Sequence, residues 1–350
     1  MRILRRLAIG LALVALLLGG FVLHTLWLAG SFKHIAPHFA GSCTLVTGVS
    51  GAEDLAIDHQ GRYAFLSASD RLAQHAGKPV PGGIWLYDLQ RGGAPVNLTA
   101  DAGLDFQPHG ISLWHGPDGD RLFVINHVGP DRHRIEVFDW RGGKLTRRAL
   151  LSSSLLASPN DIAAVDGERF YVTNDHGSNG IWRTAEEYLR LPLANVVYFD
   201  GRNFREVAGG IMLANGIAVS ADGRQLYVAA TTGREILSFD REPFTGTLSN
   251  RRETALGTAP DNIEPGEGGT LWVGAHPQIL KLVAHADHPD RPSPSQVLKL
   301  TPRPGGEFAV DEIYLSDGRQ MSASSTAAVA GKRLLIGSVY APGFLDCRLP

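Results

Sequence analysis

Six short segments of the chain repeat one chemical pattern, in which a pair of small or polar residues stands directly before an aliphatic one. The pairs are Glu53-Asp54 before Leu55, His109-Gly110 before Ile111, Asn160-Asp161 before Ile162, Asn215-Gly216 before Ile217, Asp261-Asn262 before Ile263 and Ser325-Thr326 before Ala327. Together they offer carboxylate, amide and hydroxyl oxygens, one imidazole and no thiol. Such a set suits a hard cation. Ca²⁺ takes about six to eight oxygen ligands and accepts amide carbonyls, whereas Mg²⁺ demands a stricter octahedron and zinc favours His and Cys. Taken singly, each pair is a common turn dipeptide, and His109 reads equally well as a core histidine or a functional one. A turn does not explain why Glu53, Asn160, Asn215 and Asp261 all recur at one place in a repeat.

The elements that must position these pairs are strands. Eight to twelve residues after each pair comes an apolar, β-branched or aromatic run: Ala64-Phe65-Leu66, Leu122-Phe123-Val124, Phe170-Tyr171-Val172, Leu226-Tyr227-Val228, Leu271-Trp272-Val273 and Leu334-Leu335-Ile336. Successive central residues are 58, 48, 56, 45 and 63 apart. Second strands follow in several units, each expected to end in an acidic turn, at Asp88, Asp139 and Asp240. Several short strands per unit of about 50 residues predict an all-β chain, a six-bladed β-propeller. If one pair begins the innermost strand of its blade, pseudo-symmetry turns all six toward the central channel. The 41 glycines in 350 residues and a charged fraction of 19% agree with many tight turns and few long solvated helices.

The N-terminus is different in kind. Arg2, Arg5 and Arg6 precede an uncharged apolar run from Leu7 to Leu28, interrupted by His24 and Thr25. Its length approaches the ~20 residues needed to cross a bilayer, and no clear small-residue cleavage site follows. Residues 1–32 therefore read as an uncleaved signal anchor, with a cleaved signal peptide as the alternative. The arginines stay on the cytoplasmic side, and residues 43–350 form the exported domain, periplasmic or extracellular. The two cysteines, Cys43 and Cys347, bracket that domain. In an oxidising compartment they are expected to form a disulfide that joins the first and last strands within one closing blade. A net charge of −2 without basic runs excludes an electrostatic footprint for nucleic acid.

Read in order, Glu53-Asp54-Leu55, Pro108-His109-Gly110-Ile111-Ser112, Val124-Ile125-Asn126-His127, Asn160-Asp161-Ile162, Thr173-Asn174-Asp175-His176, Ala214-Asn215-Gly216-Ile217, Asp261-Asn262-Ile263, Leu271–Pro277 and Leu334–Gly337 resemble the successive motifs of the paraoxonases, the serum arylesterase and lactonase family. The resemblance spans about residues 53–340. It implies two calcium ions in the tunnel. A catalytic ion would be held by Glu53, Asn160, Asn215, Asp261 and Asn262, and a structural one by Asp54, Asp161 and the carbonyl of Ile111. It further implies a catalytic histidine dyad at His109 and His127 and pocket-lining histidines at His176 and His276. Residues 68–83, 182–195 and 283–320 have no close counterpart, and substrate choice lies there.

The implied chemistry is hydrolysis of a small carboxylic ester, an aryl ester or a lactone. A Ca²⁺ with an open position polarises the carbonyl and stabilises the developing oxyanion. His109, its tautomer held by His127, is a candidate base for water because imidazole titrates near neutral pH. Glu53 and Asp261 are the alternatives. No Gly-x-Ser-x-Gly elbow marks a serine nucleophile. Two other classes fit a propeller: a non-catalytic calcium-stabilised module that binds a protein or sugar, and a metal-independent lyase or synthase.

Overall fold

Six antiparallel sheets follow one another along the chain, each begun by one of the six polar pairs, in a computed structural model that describes residues 2–58, 60–103, 105–117, 119–129 and 131–350. The innermost strands are Ala52–Ile57, Pro108–Gly116, Pro159–Ala164, Ala214–Val219, Ala259–Pro265 and Ser324–Ala330. Each packs on the innermost strand of the next blade, and the sixth on the first, so the sheets close into a ring around a central tunnel. This is the predicted six-bladed propeller. The apolar runs form the second strand of each blade, as in Tyr63–Ala68 and Phe170–Asn174.

These second strands are apolar throughout because both faces are covered. In Gly119–Gly129, Leu122 and Val124 pack toward Phe65 and Phe106 on one side. Phe123 and Ile125, on the alternate face, pack toward Phe170 and Val172 of the third blade. Six such layers between blades make up the core. The expectation of acidic turns holds only for Asp88, which ends Gly83–Asp88. Asp139 and Asp240 lie inside Arg132–Arg141 and Glu235–Arg241. Cross-strand partners satisfy them there: Arg121 lies 3.3 Å from Asp139, and Arg252 donates to Asp240 at 2.8 Å.

Because strands alternate in direction, the start of each innermost strand lies at the same end of the tunnel as the connection between its second and third neighbours. Three of those connections carry helices: Arg71–His75, Ile181–Leu189 and Ile279–Asp287. Two of the three segments without a family counterpart are therefore this helical canopy. The third differs. It carries the strand pair Ser295–Pro302 and Phe308–Ser316, the outer half of the fifth blade.

The ring is closed by its ends. Ser42–Thr47 pairs with Gly343–Arg348, Cys43 stands opposite Cys347, and the two are joined by a disulfide across 304 residues. Five residues earlier, His38–Phe39 adds a fifth strand to the fifth blade against Tyr314 and Leu315. A strand of two residues has no periodicity by which to be read, which is why residues before Cys43 were not expected in the propeller.

One helix, Arg2–Leu28, is long and apolar enough to cross a membrane, and it is unburied along its length. The chain then turns at Gly30, whose φ of 72° and 2.0 Å clearance between an added Cβ and the Pro277 carbonyl oxygen leave no room for a side chain. Past the helix, Ala29 accepts a hydrogen bond from the Ile279 amide at 3.1 Å, and Gln278 donates to the Lys33 carbonyl at 2.8 Å.

Breaking the closure should cost stability through the entropy of the unfolded chain. The Cys43→Ser, Cys347→Ser double variant is expected to lose about 2–5 kcal/mol, read by denaturant melts of the oxidised and variant proteins. Equal stability of the two would show that strand pairing alone closes the ring.

Candidate active site

Every innermost strand is irregular at its polar pair. In the second blade Pro108 pairs with Asn126 and Ile111 with Val124, so His109 and Gly110 together face Ile125 alone. The third, fourth, fifth and sixth blades repeat this at Asn160-Asp161, Asn215-Gly216, Asp261-Asn262 and Ser325-Thr326. In the first blade the shift falls between Ala52 and Asp54, leaving Glu53 as the extra residue. A bulge re-aims the side chains of the doubled residues, and here it does so at six equivalent positions. The glycines have a steric reason. A Cβ on Gly110 would lie 2.5 Å from the Asp161 Cα, and one on Gly216 would lie 2.5 Å from the Asp261 carbonyl oxygen.

The five side chains of the first set, Glu53, Asn160, Asn215, Asp261 and Asn262, are all buried. Four of them present a buried oxygen without a hydrogen-bond partner: Glu53 Oε2, Asn160 Oδ1, Asn215 Oδ1 and Asn262 Oδ1. The amide hydrogens of two are engaged elsewhere. Asn262 Nδ2 donates to Glu53 Oε1 at 2.8 Å and Asn160 Nδ2 to Asp175 Oδ2 at 3.3 Å, which leaves their carbonyl oxygens free. Unpaired buried acceptors of this kind are costly unless something positive meets them. Among the described residues no group of three or more His, Cys, Asp and Glu side chains forms a metal site by itself. An ion here depends on the asparagine oxygens.

Asp54 and Asp161 behave differently. Asp54 accepts from the amides of Leu55 at 2.8 Å and Ile111 at 2.7 Å, and Asp161 from those of Ile162 at 2.7 Å and Ile217 at 2.8 Å. Each carboxylate thus ties its blade to the next. Asp161 and Ile111 also line a cavity of about 810 Å³ together with Asp58, at the opposite end of the tunnel from the helices. Burial, then the neighbouring carboxylates, pushes Asp54 well above the usual carboxylate range. Burial raises Asp161 likewise against its two amide hydrogen bonds, and raises Asp261 against the pull of His276. Glu53 ends lower, at about 2, because His109, Arg71 and Asn262 outweigh its burial.

The histidines form a chain. His109 Nε2 lies 3.5 Å from Glu53 Oε2, His109 Nδ1 lies 2.9 Å from His127 Nε2, and His127 Nδ1 lies 2.7 Å from His133 Nδ1. If His109 is to accept a proton at Nε2, its own proton sits on Nδ1 and is donated to His127, whose proton then faces His133. Burial and the neighbouring imidazoles hold His127 well below the ordinary histidine value, and burial followed by Arg183 lowers His133. His133 was not anticipated. The signal was available: His127 and His133 flank Gly129-Pro130-Asp131 symmetrically, and they are direct partners across the hairpin.

The other two histidines stand behind the wall. His276 is buried with Nε2 at 2.8 Å from Asp261 Oδ2, and it orients that carboxylate. His176 is clamped between Asp175 at 2.6 Å and Glu187 at 2.7 Å. It is not among the residues that line the cavity of about 380 Å³ next to His109 and His127. It fastens the helix Ile181–Leu189 instead. Besides the dyad, that cavity is lined by His133, Arg71 and Arg183, three residues that no repeat register could reveal.

The family model described as Arylesterase matches residues 34–349. Serum paraoxonase/arylesterase 2 of Rattus norvegicus is 34% identical over 313 residues, 85% of this chain and 86% of the relative. Serum paraoxonase/arylesterase 1 of Homo sapiens is 32% identical over 325 residues, 89% and 90% of the two chains. Among solved structures, a luciferin-regenerating enzyme superimposes with a TM-score of 0.60 at 14% identity, covering 88% of this chain and 95% of that one, which bears on the fold alone.

The clamp on His176 gives a pH signature. Burial would lower its pKa, but hydrogen bonds to Asp175 and Glu187 win and raise it to about 9. A group raised from about 6.5 when unfolded contributes stability that is complete below that pH and is lost as pH rises through about 9. The gap in Tm between the native protein and His176→Gln should therefore be widest near pH 6 and narrow toward pH 9–10. A gap independent of pH would show that His176 acts only through packing.

Proposed function

The chain belongs to the arylesterase family and is a carboxylic ester hydrolase, and from that premise we propose that it hydrolyses aryl esters and lactones with two Ca²⁺ ions in its tunnel. The catalytic ion would be held by Glu53, Asn160, Asn215, Asp261 and Asn262, and the structural ion by Asp54, Asp161 and the Ile111 carbonyl. The observation that carries this reading is the set of four unpaired buried oxygens on Glu53, Asn160, Asn215 and Asn262. The residues fit: their donors are oxygens only, with amide hydrogens of Asn160 and Asn262 turned to other acceptors. A purely protein- or sugar-binding propeller has no use for the imidazole chain that ends beside Glu53.

When bound, Ca²⁺ supplies a Lewis acid that polarises the ester carbonyl and steadies the negative charge on its oxygen. His109 does the proton work. Its Nε2 accepts a proton from water as the water oxygen bonds to the carbonyl carbon and the π electron pair moves onto oxygen. When that pair returns, the carbon–oxygen bond to the leaving group breaks, and His109 gives the proton to the departing alkoxide. His127 accepts from His109 Nδ1 throughout and so keeps Nε2 turned to the reaction. An exported location with residues 1–32 as anchor and 43–350 as the hydrolase domain is supported by the apolar helix and the disulfide.

Chelation should abolish hydrolysis of phenyl acetate and of a δ-lactone, Ca²⁺ should restore it, and metal analysis should find about two Ca²⁺ per chain. Zinc, or an active metal-free sample, would sink the reading. Glu53→Gln is expected to lower activity with the fold intact, whereas Asp54→Asn lowers thermal stability.

His109→Asn should lower kcat by roughly 10²–10⁴-fold without changing calcium content. Full activity with an unaltered pH profile would move the base to Glu53 or Asp261.

A further inference from the structure

The mouth of the site lies over the first three blades, where the cavity of about 380 Å³ is walled by His109, His127 and His133 and flanked by two guanidiniums, Arg71 and Arg183. Its one described carboxylate is Asp175, and that group is already engaged. Asp175 accepts from His176 at 2.6 Å and from the Ser158 hydroxyl, and meets Arg183 Nη2 at 3.5 Å, which also donates to the Ser158 hydroxyl. Arg71 has no carboxylate within hydrogen-bonding distance; Glu53 Oε2 is 3.7 Å away and belongs to the oxygen ring. Two guanidinium nitrogens here, Arg71 Nη1 and Arg183 Nε, are buried with no acceptor.

Both arginines are held in place. Asp70 caps the helix Arg71–His75 by accepting from the Ala73 amide at 2.9 Å, and His75 meets Asp287 of the helix Ile279–Asp287 at 2.8 Å. Arg183 sits on Ile181–Leu189, whose Glu186 accepts from the Gly177 and Ser178 amides at 3.0 and 2.9 Å. A positioned guanidinium that keeps a nitrogen without an acceptor matches a planar anionic group, which it binds through directed hydrogen bonds.

Building on the hydrolase reading above, we propose that Arg71 and Arg183 form an anion subsite beside the scissile carbonyl and that the preferred substrate is an ester or lactone that carries a free carboxylate. The arginines neither donate nor accept a proton in the reaction. They bind the remote carboxylate and so orient the ester toward His109 and the oxygen ring, which is specificity through binding rather than through the chemical step.

The test compares monophenyl adipate with methyl phenyl adipate on the calcium-loaded full chain, since the two share a leaving group and differ in one charge. The ratio of kcat/KM, anionic over neutral, should be about ten or more, in line with a charge-assisted hydrogen bond, and should fall as salt is added. Arg71→Met and Arg183→Met should each cut that ratio several-fold, while Arg71→Lys and Arg183→Lys restore part of it. A ratio near one in the native protein overturns the subsite. So does a ratio unchanged in both Met variants, which would leave Arg71 as a mere neighbour of Glu53. Hydrolysis that survives chelation would instead overturn the calcium reading and leave the arginine ratio readable, so the two failures are distinct.

Discussion

Acidic and amide oxygens packed together in a buried tunnel repel one another, and most of this architecture follows from holding them there. Glu53, Asp54, Asp161 and Asp261 are all buried, in surroundings where like charges interact far more strongly than in water. Burial first, and the neighbouring carboxylates after it, raises three of the four in pKa. Among the described residues no lysine pairs with them. Arg71 at 3.7 Å and the Asn262 amide at 2.8 Å relieve Glu53 alone, and the Asn160 amide hydrogens point away to Asp175. The compensation such a ring calls for is a small cation with several coordination positions.

The six bulges are the geometric answer to that demand. An innermost strand with regular alternation would send every second residue outward to its own blade, and adjacent residues could not serve the tunnel together. Doubling two residues against one partner gives Asn160 and Asp161 different jobs at nearly the same height. Asn160 leaves a free oxygen, while Asp161 spends both of its oxygens on the amides of Ile162 and Ile217. Asp54 repeats the arrangement with Leu55 and Ile111. The lower carboxylates therefore stitch the first blade to the second and the third to the fourth, so cohesion of the ring and charge in the tunnel are one problem. The disulfide between Cys43 and Cys347 solves the remaining part, the seam where chain ends meet.

Legibility in the sequence followed repetition. Six polar pairs in register could be aligned from residue types alone, and they proved to be the six bulged sites. The second strands were legible because burial on both faces leaves unbroken apolar runs such as Leu122–Ile125. What lacked a repeat was not legible. Arg71 and Arg183 sit on connections of unlike length, and nothing in their neighbours says that both reach one cavity. His133 carried a different signal: its partner lies across a hairpin, so the pair shows only when the symmetric flanks of Gly129-Pro130-Asp131 are taken as facing strands. Asp139 and Asp240 misled in the opposite sense. An aspartate after an apolar run usually marks a turn, but here cross-strand arginines keep each within its strand.

The division between ring and canopy also explains how one scaffold can keep its chemistry while its substrate changes. Ring residues are fixed by contacts to adjacent innermost strands, where a Cβ on Gly110 or Gly216 would already collide with a neighbour's backbone. Canopy helices are held by polar fasteners. Ile181–Leu189 is held by Glu186 and by His176 with Glu187, and Arg71–His75 by its Asp70 cap and the contact between His75 and Asp287. Provided those fasteners persist, the residues facing the cavity can be exchanged without disturbing an oxygen of the tunnel. Rigid placement at the fasteners and freedom between them is what lets a loop present charges such as Arg71 and Arg183 to a substrate while the hydrolytic centre below them stays the same.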